Sequence, residues 1–199
     1  MAESCVLSHP RAYTWAINEC SRHFQWRDAL QLAARLSHSA LEPNVFTCST
    51  AITACSRGGG ERWPQALALL GDLRLRLEAD VVAYGAAISA GEWPQAFCLL
   101  KEMQRHSLEP NAFTCSAAIS ACERSDEGAG RALAVLEEMH TSQLEPNVAT
   151  YNSVITACER SGQLDRALRL LGDMRQQELL PDVITYSALI SACERRCDW

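Results

Sequence analysis

No Cys-x-x-Cys pair occurs in this chain of 199 residues, and no apolar run approaches the roughly 20 residues of a membrane-spanning helix. The first absence removes the usual spacing of zinc and dithiol sites. The second removes a helical membrane span. Positive charge is also short: 18 Lys and Arg stand against 24 Asp and Glu, a net charge of −6. Most nucleic-acid-binding domains are basic, so this balance counts against nucleic acid unless the cations are focused. Seven Pro and ten Gly are too few for a disordered or collagen-like chain. The opening MAESCVLSHPRAYTW lacks the charged start and apolar stretch of a secretory signal, and its Glu3 and single Arg11 make a poor organelle transit peptide. Either targeting is absent or the start of the sequence is missing.

What is present is repetition. LEPNVFTCSTAITACSR stands at 41–57, LEPNAFTCSAAISACERS at 108–125 and LEPNVATYNSVITACERS at 144–161. Five such phrases end at Asn44, Asp80, Asn111, Asn147 and Asp182, at intervals of 36, 31, 36 and 35 residues. The preceding residue is Pro in four of them and Ala79 in the other. The units are then 10–44, 45–80, 81–111, 112–147 and 148–182, with a partial unit 183–199 and an N-terminal tail 1–9. Cys20, Cys55, Cys122, Cys158 and Cys193 each lie three residues after an Ile of the phrase. Of the ten cysteines these five belong to the pattern, as small hydrophobes packing a core rather than as metal ligands or disulfides.

Within a unit the spacing is helical. In 148–182, Tyr151, Ile155 and Cys158 fall at i, i+4, i+7 on one face, and Gly162 ends the run. Leu164, Ala167, Leu168, Leu171 and Met174 then form a second stripe, stopped by Pro181. First helices are expected from about 11, 46, 82, 113, 149 and 184, and second helices from about 25, 62, 92, 129 and 163. Neither helix of a pair can bury its stripe alone, whereas stacked pairs can. The expected fold is all-α, a right-handed superhelical solenoid of about five and a half helix-turn-helix repeats. The unit 81–111 is four residues shorter than 148–182, and its loss falls between the helices, where Gly91 must make the turn before Trp93-Pro94.

Two helical-hairpin families have this period. The tetratricopeptide type wants a small residue at the eighth place and an aromatic at the eleventh. Here the eighth is Ile17, Ile52, Ile88, Ile119, Ile155 and Ile190. The unit VATYNSVITACERSGQLDRALRLLGDMRQQELLPD instead resembles the pentatricopeptide repeat, in its VxTYNxxI opening, its SGxLDxAL turn and its LLPD close. The resemblance covers nearly the whole chain from residue 10.

The resemblance implies a binder of single-stranded RNA, one base per repeat. In that family the fifth and last residues of a unit choose the base, the second packs on its face, and a basic residue near the thirteenth place meets phosphate. Here the base-reading residues would be Thr14 with Asn44 (adenine), Ser49 with Asp80 (guanine), Ser116 with Asn147 (adenine) and Asn152 with Asp182 (uracil). Gly85 with Asn111 has no reading, and Ser187 opens a unit whose last residue lies beyond Trp199. The implied target is 5′-AGxAU-3′. Phe46, Val82, Phe113 and Ile184 would stack on bases, while Arg11 and Ala149 depart from the apolar second place. Arg22, Arg57, Arg124, Arg160 and Arg195 would meet phosphates, a phased set that the short unit lacks.

Each role has a plainer rival. Asn or Asp before a helix is an N-cap, a role compatible with base reading. Arginines after Glu123, Glu159 and Glu194 in a last helical turn suit the helix dipole. The five His residues keep no constant phase and receive no role. Some members of the family carry deaminase modules, but their H-x-E and P-C-x-x-C signature is absent here, as are Ser-His-Asp and Gly-rich phosphate motifs. The chain is therefore expected to be no enzyme, to need no metal or cofactor, and to bind neither DNA nor membrane. The alternative is a helical-repeat scaffold for protein partners, which the acidic balance favours. By resemblance alone the compartment is the chloroplast or mitochondrion, with a part in RNA processing, stability, editing or translation.

Overall fold

The computed structural model describes residues 10–38, 44–57, 63–76 and 79–196; the tail 1–9 and Cys197 to Trp199 lie outside the described residues. Eleven α-helices and no strand occur among the described residues. They divide into two compact bodies that meet in sequence at Gly91 and Glu92.

The first body holds α1 (Pro10–Arg22), α2 (Trp26–His38), α3 (Val45–Arg57), α4 (Trp63–Arg76) and α5 (Val81–Ala90). Helix α1 packs on α2 and on α3, and α3 in turn on α4 and α5. Its core is built from Ile17, Ala29, Ala33, Ala51 and Ala54, with Cys20, Leu32 and Leu69 against it. The many alanines let helix backbones approach closely, while each buried Ile contributes about 1.5–3 kcal/mol of transfer free energy.

The second body holds α6 (Trp93–Arg105), α7 (Ala112–Cys122), α8 (Ala129–Thr141), α9 (Val148–Arg160), α10 (Leu164–Gln176) and α11 (Val183–Arg196). Helix α7 packs on α6, α8 and α9, and α9 on α8, α10 and α11. Ile119, Cys122, Tyr151, Ile155 and Cys158 are buried at the expected phase. Burial and the Glu123 carboxylate push the Cys122 thiol up to about 12, and burial pushes Cys158 to about 11. These thiols are inert packing groups. On α11 the phase is the same and the burial is not: Ile190 is 59% exposed, and Tyr186 and Cys193 are exposed too.

First helices start at 10, 45, 81, 112, 148 and 183, each one residue before the expected place. Second helices start at 26, 63, 93, 129 and 164, within one residue of it. The repeated Leu-x-Pro-Asn/Asp phrase accounts for this regularity. After α6, α8 and α10, residues Ser107, Gln143 and Glu178 turn left-handed at φ 57, 56 and 59°. The next residue, Leu108, Leu144 or Leu179, then donates its N–H to the carbonyl of Met103, Met139 or Met174 at 2.9 Å. This is the Schellman closure. Pro forbids continuation, and Asn or Asp opens the next helix.

Hairpin turns inside the units are less uniform. Gly162 closes α9 at φ 67°, as its lack of a Cβ favours. The equivalent place after α1 is Phe24 at φ 58°, a bulky residue in a conformation it disfavours. In the unit 112–147, Gly128 precedes α8 where a Cβ would run into the Cys122 carbonyl. In the short unit, α5 ends three residues early relative to α9, and Gly91 sits at φ −79°, ψ 165°. The turn is made by two extended residues, Gly91 and Glu92, with Pro94 in the first turn of α6.

Candidate nucleic-acid interface

The residue that ends each unit is the N-cap of the following first helix. Asn44 Oδ1 accepts the Thr47 N–H at 2.8 Å, Asp80 Oδ1 the Ala83 N–H at 2.8 Å, and Asn111 Oδ1 the Thr114 N–H at 3.0 Å. Asn147 Oδ1 takes the Thr150 N–H at 2.9 Å and Asp182 Oδ1 the Thr185 N–H at 2.9 Å. The cap and the proposed base reader are the same side chain, and the cap engages one of its two terminal atoms. For Asn111 and Asn147 the other atom is an amide nitrogen, which bonds no described residue. For Asp182 it is the second carboxylate oxygen, since Thr185 and Asn152 all bond Oδ1. The Thr185 N–H, opposed by some desolvation and helped by the Thr185 hydroxyl and Asn152, holds the exposed Asp182 carboxyl below its ordinary range.

A Thr stands three residues after the cap in four of the five cases, and sequence reasoning gave it no role. Thr47, Thr114, Thr150 and Thr185 are buried, and the hydroxyls of Thr47, Thr114 and Thr185 accept the cap residue's own N–H at 3.0 or 3.1 Å. This is a capping box with Thr in place of Glu or Gln. The T of VxTYNxxI is its sequence signal.

The same Thr reaches the fifth residue of the preceding unit. Ser116 Oγ lies 2.8 Å from Thr150 Oγ1, which donates to Asn147 Oδ1 at 3.0 Å. Asn152 donates through Nδ2 to Asp182 Oδ1 at 3.0 Å, and its Oδ1 accepts from Thr185 Oγ1. Both fifth-and-last pairs of the second body are thus brought together. In the first body Ser49 is buried and bonds back to the Val45 carbonyl at 2.7 Å, and Ala83 offers no hydroxyl toward Asp80. Thr14 is half-buried on α1, Gly85 is buried in α5, and Ser187 is exposed on α11.

Phe46, Val82, Phe113 and Ile184 each occupy the second residue of a first helix and are 59–65% exposed. Within those helices most other large apolar side chains are buried, except on α11. The arginines are less available. Arg22 is 3.6 Å from Glu19, Arg160 Nε is 3.3 Å from Asp126, and Arg195 Nε is 3.0 Å from Glu159. The last two pairs reach back 34 and 36 residues, one repeat earlier, so they fasten neighbouring first-helix ends. Arg124 is exposed; the side chain of Arg57 lies outside the described residues.

Known proteins share this pattern. Residues 146–195 match the PPR repeat family and residues 98–160 the pentatricopeptide repeat domain. A chloroplastic pentatricopeptide repeat-containing protein of Arabidopsis thaliana is 35% identical over 100 residues, 48% of this chain and 15% of that protein. The chloroplastic pentatricopeptide repeat-containing protein 10 of Zea mays is 32% identical over 103 residues, 47% of this chain and 13% of that protein. The crystal structure of the pentatricopeptide repeat protein PPR10 in complex with an 18-nt psaJ RNA element superposes with a TM-score of 0.74 at 28% identity. That match covers 96% of this chain and 28% of the other. The chain therefore spans only a small part of the length of these relatives.

Proposed function

Because this chain is a pentatricopeptide repeat protein, we propose that it binds single-stranded RNA, one base to a repeat, with 5′-AGxAU-3′ as target. The observation that carries the reading is the second-place register: Phe46, Val82, Phe113 and Ile184 stand exposed at one phase of the repeat, three residues before the fifth place. Exposed apolar groups cost free energy in water, and a base face covers them at a gain of about 1–3 kcal/mol for an aromatic platform.

The cap geometry supplies the chemistry of choice. An Asn whose oxygen is held by the cap turns a donor outward; an Asp turns an acceptor outward. Single-stranded RNA leaves its Watson–Crick edges open. Adenine carries an unprotonated ring nitrogen there, which suits the donor of Asn44 or Asn147. Guanine and uracil carry a ring N–H, which suits the acceptor of Asp80 or Asp182. The reading gives the chain no reaction of its own; its setting is an organelle, in RNA processing, stability, editing or translation.

Titration of a labelled strand containing AGAAU at about 50 mM salt, followed by fluorescence anisotropy, tests the reading. Saturable binding is expected, with log K falling on log salt at a slope no steeper than about −3.5 for five phosphate contacts. Absence of binding overturns it. The rival role, a scaffold for protein partners, draws on the net charge of −6 and gains if a basic peptide binds where RNA does not.

A further inference from the structure

Thr185 is buried, and its hydroxyl meets three groups: it accepts the Asp182 N–H at 3.1 Å, and it faces Asp182 Oδ1 at 3.0 Å and Asn152 Oδ1 more closely. It has one hydrogen to give. Asp182 Oδ1 already receives the Thr185 N–H at 2.9 Å and the Asn152 Nδ2–H at 3.0 Å, whereas Asn152 Oδ1 has only the hydroxyl. The hydrogen therefore belongs with Asn152 Oδ1. A side-chain amide has two faces of opposite character, and buried hydrogen-bond partners decide which way it points.

We infer that Thr185 is a positioning residue: by holding Asn152 Oδ1 inward it fixes the amide nitrogen beside Asp182, and so gives the unit 148–182 its choice of uracil over cytosine. The inference rests on the RNA reading above and deepens it. Uracil presents carbonyl oxygens on either side of its ring N–H, which a fixed amide donor and the Asp182 acceptor match together. Cytosine replaces one carbonyl with an amino group and lacks the ring hydrogen. Without the hydroxyl, Asn152 Oδ1 loses its one partner and only the bond to Asp182 orders the amide, so the donor is aimed at the uracil carbonyl less firmly and part of the discrimination goes. The chain contains its own contrast. Thr150 also links Ser116 to Asn147, but its hydrogen goes to the Asn147 cap and Ser116 donates to it, while at the equivalent place in α5 stands Ala83, and Ser49 bonds its own helix instead.

The test compares the intact chain with Thr185→Val and Thr185→Ala, which remove the hydroxyl, and Thr185→Ser, which keeps it. Ala83 shows that the fold accepts alanine at this place, so the second variant stands in if the valine variant loses helicity by circular dichroism. Strands containing AGAAU and AGAAC are titrated against each. The ratio of the two affinities is expected to fall about fivefold or more in the valine and alanine variants, the scale of one hydrogen bond, and to be kept by the serine variant. An unchanged ratio in a folded variant overturns the inference. If the intact chain binds neither strand, the RNA reading fails, and the side-chain amide of Asn152 decides the positioning alone. Its two Nδ2 hydrogens, followed by NMR, should exchange slowly in the intact chain and faster without the hydroxyl; equal rates overturn the positioning as well.

Discussion

Asn152 and Asp182, 30 residues apart in sequence, are joined by a 3.0 Å hydrogen bond from the amide of one to the carboxylate of the other. One belongs to α9 and the other caps α11, so the bond links consecutive first helices. Replacing both, Asn152→Ser with Asp182→Asn, should move the preferred final base from uracil to adenine in a competition titration. Asn caps as well as Asp, so helicity should hold. The depressed Asp182 carboxyl adds a pH statement. A folded pKa below the unfolded one gives stability that is present above about pH 3.9 and lost as pH falls through the folded value. Uracil preference should thus be unchanged from pH 8 to pH 5, while the double variant loses the acid-range dependence of this site.

The ion pairs Arg160–Asp126 and Arg195–Glu159 occupy two of the five arginines proposed to meet phosphate. Asp126→Asn with Glu159→Gln releases both. The exposed Arg160–Asp126 pair contributes at most about 1 kcal/mol to stability. RNA affinity at low salt should rise and the salt slope should steepen by about 0.7 for each arginine that gains a phosphate. A slope that does not change would assign these residues to repeat packing alone.

Gly85 is buried in the ten-residue α5 and has no side chain to set against Asn111. Strands with each of the four bases at the third position should bind within a few-fold of one another. A tenfold preference, about 1.4 kcal/mol, would show that this unit reads.

Ile155 and Ile190 hold the same place in successive first helices, one buried and one 59% exposed. Ile155→Ala should cost about 2–5 kcal/mol in urea denaturation, and Ile190→Ala no more than about 0.5 kcal/mol. The exposed Tyr186, Ile190 and Cys193 should also make the 199-residue chain self-associate in light scattering. Ile190→Lys should increase the monomer fraction; a monomer at all concentrations in the unaltered chain would refute the expectation.

Phe24 is 66% exposed at φ 58°, so glycine there removes strain while giving up little packing. The left-handed region costs a side chain about 1–2 kcal/mol, offset in part by the freedom glycine adds to the unfolded chain. Phe24→Gly should raise the melting temperature; a fall would mean that the ring packs in solution.

What was legible in the sequence was periodic. Helix phase, cap position and the burial of Ile119, Cys122 and Ile155 follow from apolar spacing and from Pro-Asn, because those signals are local. The first helices begin one residue early, since the residue after the cap already has helical geometry. Two features were missed because their partners lie one repeat away. Glu159 adjoins Arg160 in the sequence, yet Arg160 pairs with Asp126, and the period itself is the usable signal. Thr150 is the T of the VxTYNxxI phrase and Thr185 holds the same place one unit on, and a Thr three residues after a cap is a capping-box position. Phe24 in a left-handed turn had no signal, being neither Gly nor Asn.

The capping geometry also bears on how such a chain can change over evolutionary time. Each of the five Asn- or Asp-capped helix starts uses one terminal atom of that side chain and is indifferent to the identity of the other. Asn and Asp therefore interchange there at nearly equal folding free energy. Most substitutions move a protein toward the threshold below which it is lost to aggregation or degradation. These positions do not, so a drift between the two residues is invisible to selection for folding and open to selection for whatever the outward atom touches. Asn44, Asp80, Asn111, Asn147 and Asp182 carry both residues already, in one chain, on equivalent helix starts.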